Sequence, residues 1–159
     1  MILQVGNMWD MWDTADLFLI TTNSTIKKNG ALVMGRGIAH QARDRFSGID
    51  HTWGQHIEQL CGHLGVYGLL ISAAWPDKKI GAFQVKQHFR DRADPALIAA
   101  SAARLRAWCT THPQATVHLN FPGIGNGRLD RSVVLPLLHR LPDSVTVWEL
   151  PKETHDDPA

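Results

Sequence analysis

The residues whose types and spacing could do chemistry fall in two glycine-rich stretches and at one strand end. Pro122-Gly123-Ile124-Gly125-Asn126-Gly127-Arg128-Leu129-Asp130 follows the apolar run 116–121 and precedes the amphipathic run 131–141, an order of strand, loop and helix. Glycines at every second position permit positive φ and let the backbone approach a ligand closely. A loop entering a helix N-terminus presents unpaired N–H groups and a partial positive charge, which together suit a phosphate. Val33-Met34-Gly35-Arg36-Gly37-Ile38-Ala39 repeats the arrangement near the other end of the chain, with a helix expected over 40–46. Two such loops, each following a strand, can converge on one diphosphate. The competing account is structural: the glycines turn the chain tightly and Gly37 only brings helix and sheet together. Lys86 closes the alternating run 80–86. A lysine at a strand end is ordinarily solvated. Asp130 stands where a helix N-cap is expected.

These positions need elements to hold them. The runs 2–5, 17–22, 66–73, 80–86, 116–121 and 144–150 read as strands. Leu17-Phe18-Leu19-Ile20-Thr21-Thr22 is apolar without alternation, as expected of a strand buried on both faces. The run 80–86 alternates and has a hairpin partner before it, across a turn at Trp75-Pro76-Asp77-Lys78-Lys79. Helices are expected over 50–64, with Trp53, Ile57, Leu60, Cys61 and Leu64 on one side and Gly54 as a weak point. Asp94-Pro95 is a helix start, an N-cap followed by proline at the first helical position. That helix runs to about Thr110 with Leu97, Ile98, Ser101, Leu105 and Trp108 as its buried stripe. The last helix should turn Val133, Val134, Leu137 and Leu138 inward. Trp9 and Trp12 read as cover for a core edge, with a planar ligand as the alternative. Strands thus alternate with helices, which predicts an α/β/α sandwich on a mixed, largely parallel sheet, with ligands beyond the carboxyl ends of the strands.

Composition narrows the classes further. The 159 residues, 44% of them hydrophobic, suit one domain over residues 1–152 with a frayed acidic tail over 153–159. A net charge of +1 gives no broad field for nucleic acid or anionic membrane. Cys61 and Cys109 form neither a metal motif nor a disulfide framework, and the nine histidines include no His-x-x-x-His pair, so no metal is expected. No signal pattern or bilayer-length apolar run is seen, which reads as a cytoplasmic protein, expected to be monomeric. Gly123-x-Gly125-x-Gly127 lacks the G-x-G-x-x-G spacing of a dinucleotide-binding dehydrogenase and lies too near the C-terminus for one. A serine-nucleophile elbow is absent.

Thr21-Thr22-Asn23, Gly30 and Val33-Met34-Gly35-Arg36-Gly37-Ile38-Ala39, followed by Pro122-Gly123-Ile124-Gly125-Asn126-Gly127-Arg128-Leu129, resemble the two ligand loops of the macro domain family. The resemblance covers nearly the whole chain and is nearest to stand-alone bacterial macro domains and the terminal ADP-ribose glycohydrolase branch. It implies a three-layer α/β/α fold that binds ADP-ribose without a cofactor. Asn7 and Met8 then fall at the adenine end, where the family usually has an aspartate in place of Asn7. Asn23 lies near the distal ribose. Gly35, Arg36, Gly37, Ile38 and Ala39 lie over the diphosphate and distal ribose, and Gly123, Ile124, Gly125, Asn126, Gly127, Arg128 and Leu129 form the phosphate loop. Trp148 lies beside adenine. In the glycohydrolase branch a lysine matching Lys86 reacts with the distal ribose, helped by an aspartate that this chain replaces with Gly127. Asp130, three residues on, is the alternative base. The activity so implied is removal of mono-ADP-ribose from protein carboxylates, by Lys86, Asn23 and Asp130. Its alternatives are a reader of ADP-ribose without turnover, or an ADP-ribose 1″-phosphate phosphatase. The partner is ADP-ribose or an ADP-ribosylated protein. A nucleic acid acceptor is allowed by the resemblance but is not indicated by the charge.

Overall fold

The computed structural model describes residues 1–71 and 79–152. The expected turn over 75–79 lies largely outside these residues, as do the end of the third expected strand and the tail over 153–159. Six strands form one sheet: β1 (Ile2–Val5), β2 (Leu17–Thr22), β3 (Leu69–Ile71), β4 (Ile80–Gln84), β5 (Val117–Asn120) and β6 (Val145–Glu149). Their spatial order is β1-β6-β5-β2-β4-β3. Every pairing is parallel except β3 with β4, the expected hairpin partners. The helices are α1 (Gly37–Arg45), α2 (Ile49–Leu60), α3 (Pro95–Thr111) and the short α4 (Arg131–Val134), with 3-10 turns at Met8–Met11, Gly125–Gly127 and Leu135–Leu138.

Alternate residues of the central strands feed two cores, one on each face. Leu17, Leu19, Phe83, Val117, Leu119, Val145 and Val147 pack with Ile98, Leu105 and Cys109 of α3 and with Val134 and Leu138. Phe18, Ile20, Ile80 and Ala82 pack on the other face with Met8 and Trp9, with Ala39 and Ala42 of α1 and with Ile49, Trp53 and Ile57 of α2. This is the predicted three-layer sandwich. Trp9 is 7% exposed and stacks on Phe18 with centroids 4.6 Å apart, so the tryptophan pair closes a core edge. Asp94 caps α3 as expected, accepting from Ala96 N at 2.9 Å.

Several boundaries differ from expectation. The run 31–34 is no sheet strand; Leu32 forms only an isolated bridge with Ile26. It is instead pressed against α2, where a Cβ on Gly54 would lie 2.0 Å from the Gly30 carbonyl oxygen and 2.8 Å from Leu32 N. Gly54 is therefore the point of closest approach that lets the helix lie on this segment. α2 ends at Leu60 rather than 64, because Gly62 and Leu64 both take positive φ. β4 ends at Gln84, two residues before Lys86. The last helix stops at Val134 and continues as a 3-10 turn with Pro136 in its first turn. Val133 faces outward, 44% exposed, against the expectation of an inward side chain, while Val134 beside it is buried. Asp130 occupies the N-cap position with extended backbone but makes no capping hydrogen bond through its side chain.

Candidate functional site

Parallel pairing puts the carboxyl ends of β1, β6, β5, β2 and β4 along one edge. The residues that follow them are Gly6-Asn7 after β1, Trp148-Glu149 closing β6, the 121–129 loop after β5, Asn23 after β2 and Lys86 beyond β4. Four strand steps of about 4.8 Å each spread these positions over about 19 Å.

The two glycine-rich loops meet on this edge. A Cβ on Gly37 would sit 3.1 Å from Asn126 Nδ2, and Gly37 itself has φ +58. α1 begins here without a side-chain cap and without an acidic residue in its first turn. Its first N–H groups thus lack intrahelical partners and face the loop region with positive partial charge. In the second loop Gly127 N, Arg128 N and Leu129 N turn back onto the carbonyls of Ile124, Gly125 and Gly123. The amides of Ile124, Gly125 and Asn126 make no such bond among the described residues. Gly125 has φ +63 with open space where a side chain would be, a backbone surface that a ligand can approach. Gly123 and Gly127 serve packing instead. A Cβ on Gly123 would lie 2.6 Å from Ile98 Cδ1, and one on Gly127 3.0 Å from Ala93 Cβ. Gly127 also accepts from Ala93 N at 2.9 Å, so a side chain there would press on Ala93, two residues before α3.

Lys86 lies where three segments converge. Its Nζ donates to the main-chain oxygen of Asp91 at 3.2 Å. Burial pushes its pKa below the ordinary lysine range; Arg128 lowers it further, Asp91 opposes, and Arg36 again lowers it. One guanidinium comes from each glycine-rich loop. Gln84, fully buried, fixes the chain beneath: its Nε2 donates to Lys86 O at 3.2 Å and to Gly65 O at 2.9 Å, while its Oε1 accepts from Tyr67 N and Gly68 N.

Asn23 is 7% exposed, and both ends of its amide are used locally. Nδ2 donates to Val33 O and Oδ1 accepts from Thr25 N, each at 2.9 Å. It clamps the segment leading to the first glycine-rich loop, and one N–H and one lone pair remain. At the far end Asn7 Oδ1 accepts from Trp9 N at 3.1 Å, while Met8 is buried, so only its backbone is available. The Trp148 indole lies over Gly6, where a Cβ would meet Cζ3 at 3.1 Å.

No family model and no curated protein matches the sequence. Solved structures do. The macrodomain of Thermus aquaticus DarG aligns over 94% of this chain and 95% of its own, with TM-score 0.69 and 19% identity. The macrodomain of Mycobacterium tuberculosis DarG aligns over 94% and 96%, with TM-score 0.69 and 24% identity. Thermosipho africanus DarTG in complex with ADP-ribose aligns over 96% of this chain but 42% of its own, with TM-score 0.71 and 18% identity. The chain has the macrodomain fold.

Within this fold the expected site residues divide. Lys86, Arg36, Gly37, Asn126 and Arg128 gather in one region, with Gly35, Ile38, Ala39, Ile124, Gly125 and Leu129 on the same loops. Asp130 is exposed at the mouth of α4 and is not among the charges that act on Lys86; Asp91 is. Sequence reasoning passed over Asp91 and its neighbours His88, Phe89, Arg90 and Arg92. The available signal was the alternation of basic and aromatic residues between Lys86 and the helix start at Asp94. This segment is tied to the second loop, since Arg128 Nη2 donates to Arg90 O at 2.8 Å and Arg92 Nη2 to Arg128 O at 2.9 Å. Among the described residues no three His, Cys, Asp or Glu side chains are grouped to hold a metal, and no helix is long and apolar enough to cross a membrane.

Proposed function

We propose that the protein binds ADP-ribose along the strand-end edge and hydrolytically releases mono-ADP-ribose from modified macromolecules, in the first instance from glutamate and aspartate esters. The observation that carries this is the strand order. It lays Asn7 and Trp148, the two glycine-rich loops and Lys86 in that sequence along one edge. The order matches base, diphosphate and distal ribose in an extended ADP-ribose. The ADP-ribose named for the Thermosipho relative supports the same ligand.

The first turn of α1 and the free amides of 124–126 would hold the diphosphate. Lys86, its pKa lowered by burial and two guanidiniums, reaches the neutral, nucleophilic form more readily than a solvated lysine. Its Nζ adds to C1″ of the distal ribose. The C1″–O bond breaks, and its electron pair leaves with the acceptor carboxylate. The proton shed by Nζ passes to a nearby carboxylate, for which Asp91 is better placed than Asp130. Water then adds at C1″, the C1″–N bond breaks, and ADP-ribose and free lysine are returned. Asn23 supports the ribose end with the hydrogen-bonding capacity its clamp leaves unused.

One observation favours a second acceptor. His88 stacks on Phe89 with centroids 4.8 Å apart, Arg90 lies over Phe89 at 5.3 Å, and Arg92 and Arg128 adjoin. An aromatic face set among guanidiniums next to the reactive lysine suits a single-stranded nucleic acid. The test is calorimetric titration with ADP-ribose, followed by incubation with ADP-ribose esterified to Glu or Asp of a protein and, separately, linked to an oligonucleotide. Binding with release from the protein supports the first reading, and release only from the oligonucleotide the second. Binding without release from either identifies a reader, and absence of binding refutes the ligand.

A further inference from the structure

We infer that His118 is the positioning residue for the nucleobase end of the site, acting through the indole of Trp148. The inference rests on the ADP-ribose reading above for the identity of the ligand, but its geometry is independent of it. His118 lies on β5 between Val117 and Leu119, both fully buried, and is itself 7% exposed. β5 and β6 are parallel neighbours in the register His118 with Thr146, which sets Trp148 two residues nearer the carboxyl edge on the same face. The indole reaches back along this face, and Trp148 Nε1 donates to His118 Nδ1 at 2.9 Å. The rings are 5.9 Å apart and inclined at 41°, so hydrogen bonding rather than stacking sets the indole's direction. Its six-membered ring lies against Gly6, where even a methyl group would come within 3.1 Å. The indole is thus fixed at its N–H by β5 and along its edge by the turn that carries Asn7.

Acceptance at Nδ1 specifies a neutral imidazole carrying its proton on Nε2. Burial favours the same neutral form. The charge at His118 is therefore suppressed so that it can act as an acceptor, a use for a buried polar side chain between two apolar ones. A tryptophan without this anchor would still have Gly6 beside it but would be free to turn about χ2, and a planar base would lose a preformed wall.

The experiment compares His118→Leu with His118→Asn, whose Oδ1 can replace Nδ1 as acceptor, in otherwise intact protein. The indole N–H resonance of Trp148, assigned with Trp148→Phe, is followed by ¹⁵N–¹H spectroscopy. Affinities are measured for ADP-ribose and for ribose 5-phosphate, which lacks the base. The expected result is an upfield indole N–H and about fivefold weaker ADP-ribose binding in His118→Leu, the worth of one net hydrogen bond. Ribose 5-phosphate binding should be unchanged, and His118→Asn should restore most of both signals. An unmoved resonance, an equal loss for both ligands, or failure of the folded His118→Asn variant to recover overturns the inference. If the parent protein binds no ADP-ribose, the nucleobase role falls together with the reading it rests on. A shifted indole resonance in His118→Leu would then show that only the ligand was wrong.

Discussion

Substituting alanine at Gly37, Gly125 and Gly35 separates two effects that the sequence runs together. Gly37 and Gly125 have φ of +58 and +63, whereas Gly35 is outside this left-handed region. A Cβ would meet Asn126 Nδ2 at 3.1 Å from Gly37 but nothing within 4 Å from Gly125 or Gly35. Holding a side chain in the left-handed region costs about 1–2 kcal/mol. Gly35→Ala should therefore leave stability within about 0.5 kcal/mol of the parent, as an unobstructed surface change does. Gly125→Ala should lose the backbone cost of about 1–2 kcal/mol and no more. Gly37→Ala carries the same backbone cost plus the contact with Asn126, an exposed amide that can give by a few tenths of an ångström. If the variant relaxes by lifting the start of α1 away from Asn126, the strain leaves the free protein and is met again on binding. A cost of 1–2 kcal/mol then appears as about 5–30-fold weaker ADP-ribose affinity. Urea unfolding and calorimetry together capture both routes. Gly37→Glu, which adds bulk and a negative charge between the loops, should abolish ADP-ribose binding with far-UV circular dichroism unchanged. Parent-like stability and affinity in Gly37→Ala would refute the argument that these loops meet in one strained site.

Lys86→Ala should lose turnover while keeping most of the affinity for ADP-ribose, measured by single-turnover release beside calorimetry. In the proposed mechanism the neutral amine is the reactive form, so turnover should rise with pH and level off above the depressed lysine pKa. Arg128→Gln removes a cation that lowers this pKa, so the rise should move to higher pH; an unmoved profile would exclude the lysine as its source. Gly54→Ala gains about 1 kcal/mol in helix propensity. It should nevertheless destabilise, because its Cβ would overlap the Gly30 carbonyl and overpacking costs about 1–3 kcal/mol. Tyr67 OH donates to Asn23 O at 2.8 Å and shares a close hydrogen bond with Thr22 Oγ1. Tyr67→Phe should cost about 1–3 kcal/mol in urea unfolding, since it leaves a buried partner unsatisfied.

The sequence by itself determined the class of fold and most of the segments that become its strands and helices. Runs such as 17–22 are apolar on both sides, and only a sheet covered by helices on both faces hides them. Asp94-Pro95 determined where α3 begins, since the cap and the proline act within a few residues. The loops were legible for the same reason: alternating glycines before a helix state a local backbone requirement. What the sequence left open depends on approach from a distance. The run 31–34 has a strand's composition, yet it packs against α2 through Gly54, and a one-residue close approach leaves no periodicity to read. Asp130 is the nearer carboxylate along the chain from the missing loop position, whereas Asp91 is the one whose charge reaches Lys86, because the 87–93 segment folds back onto Gly127. His118 appears in the sequence as a polar residue between two apolar ones in a strand. Its purpose follows only from parallel pairing with β6, which places the acceptor within reach of Trp148. Tertiary structure decided these pairings because hydrogen bonds and charges act through space, while residues 30 positions apart share no local pattern.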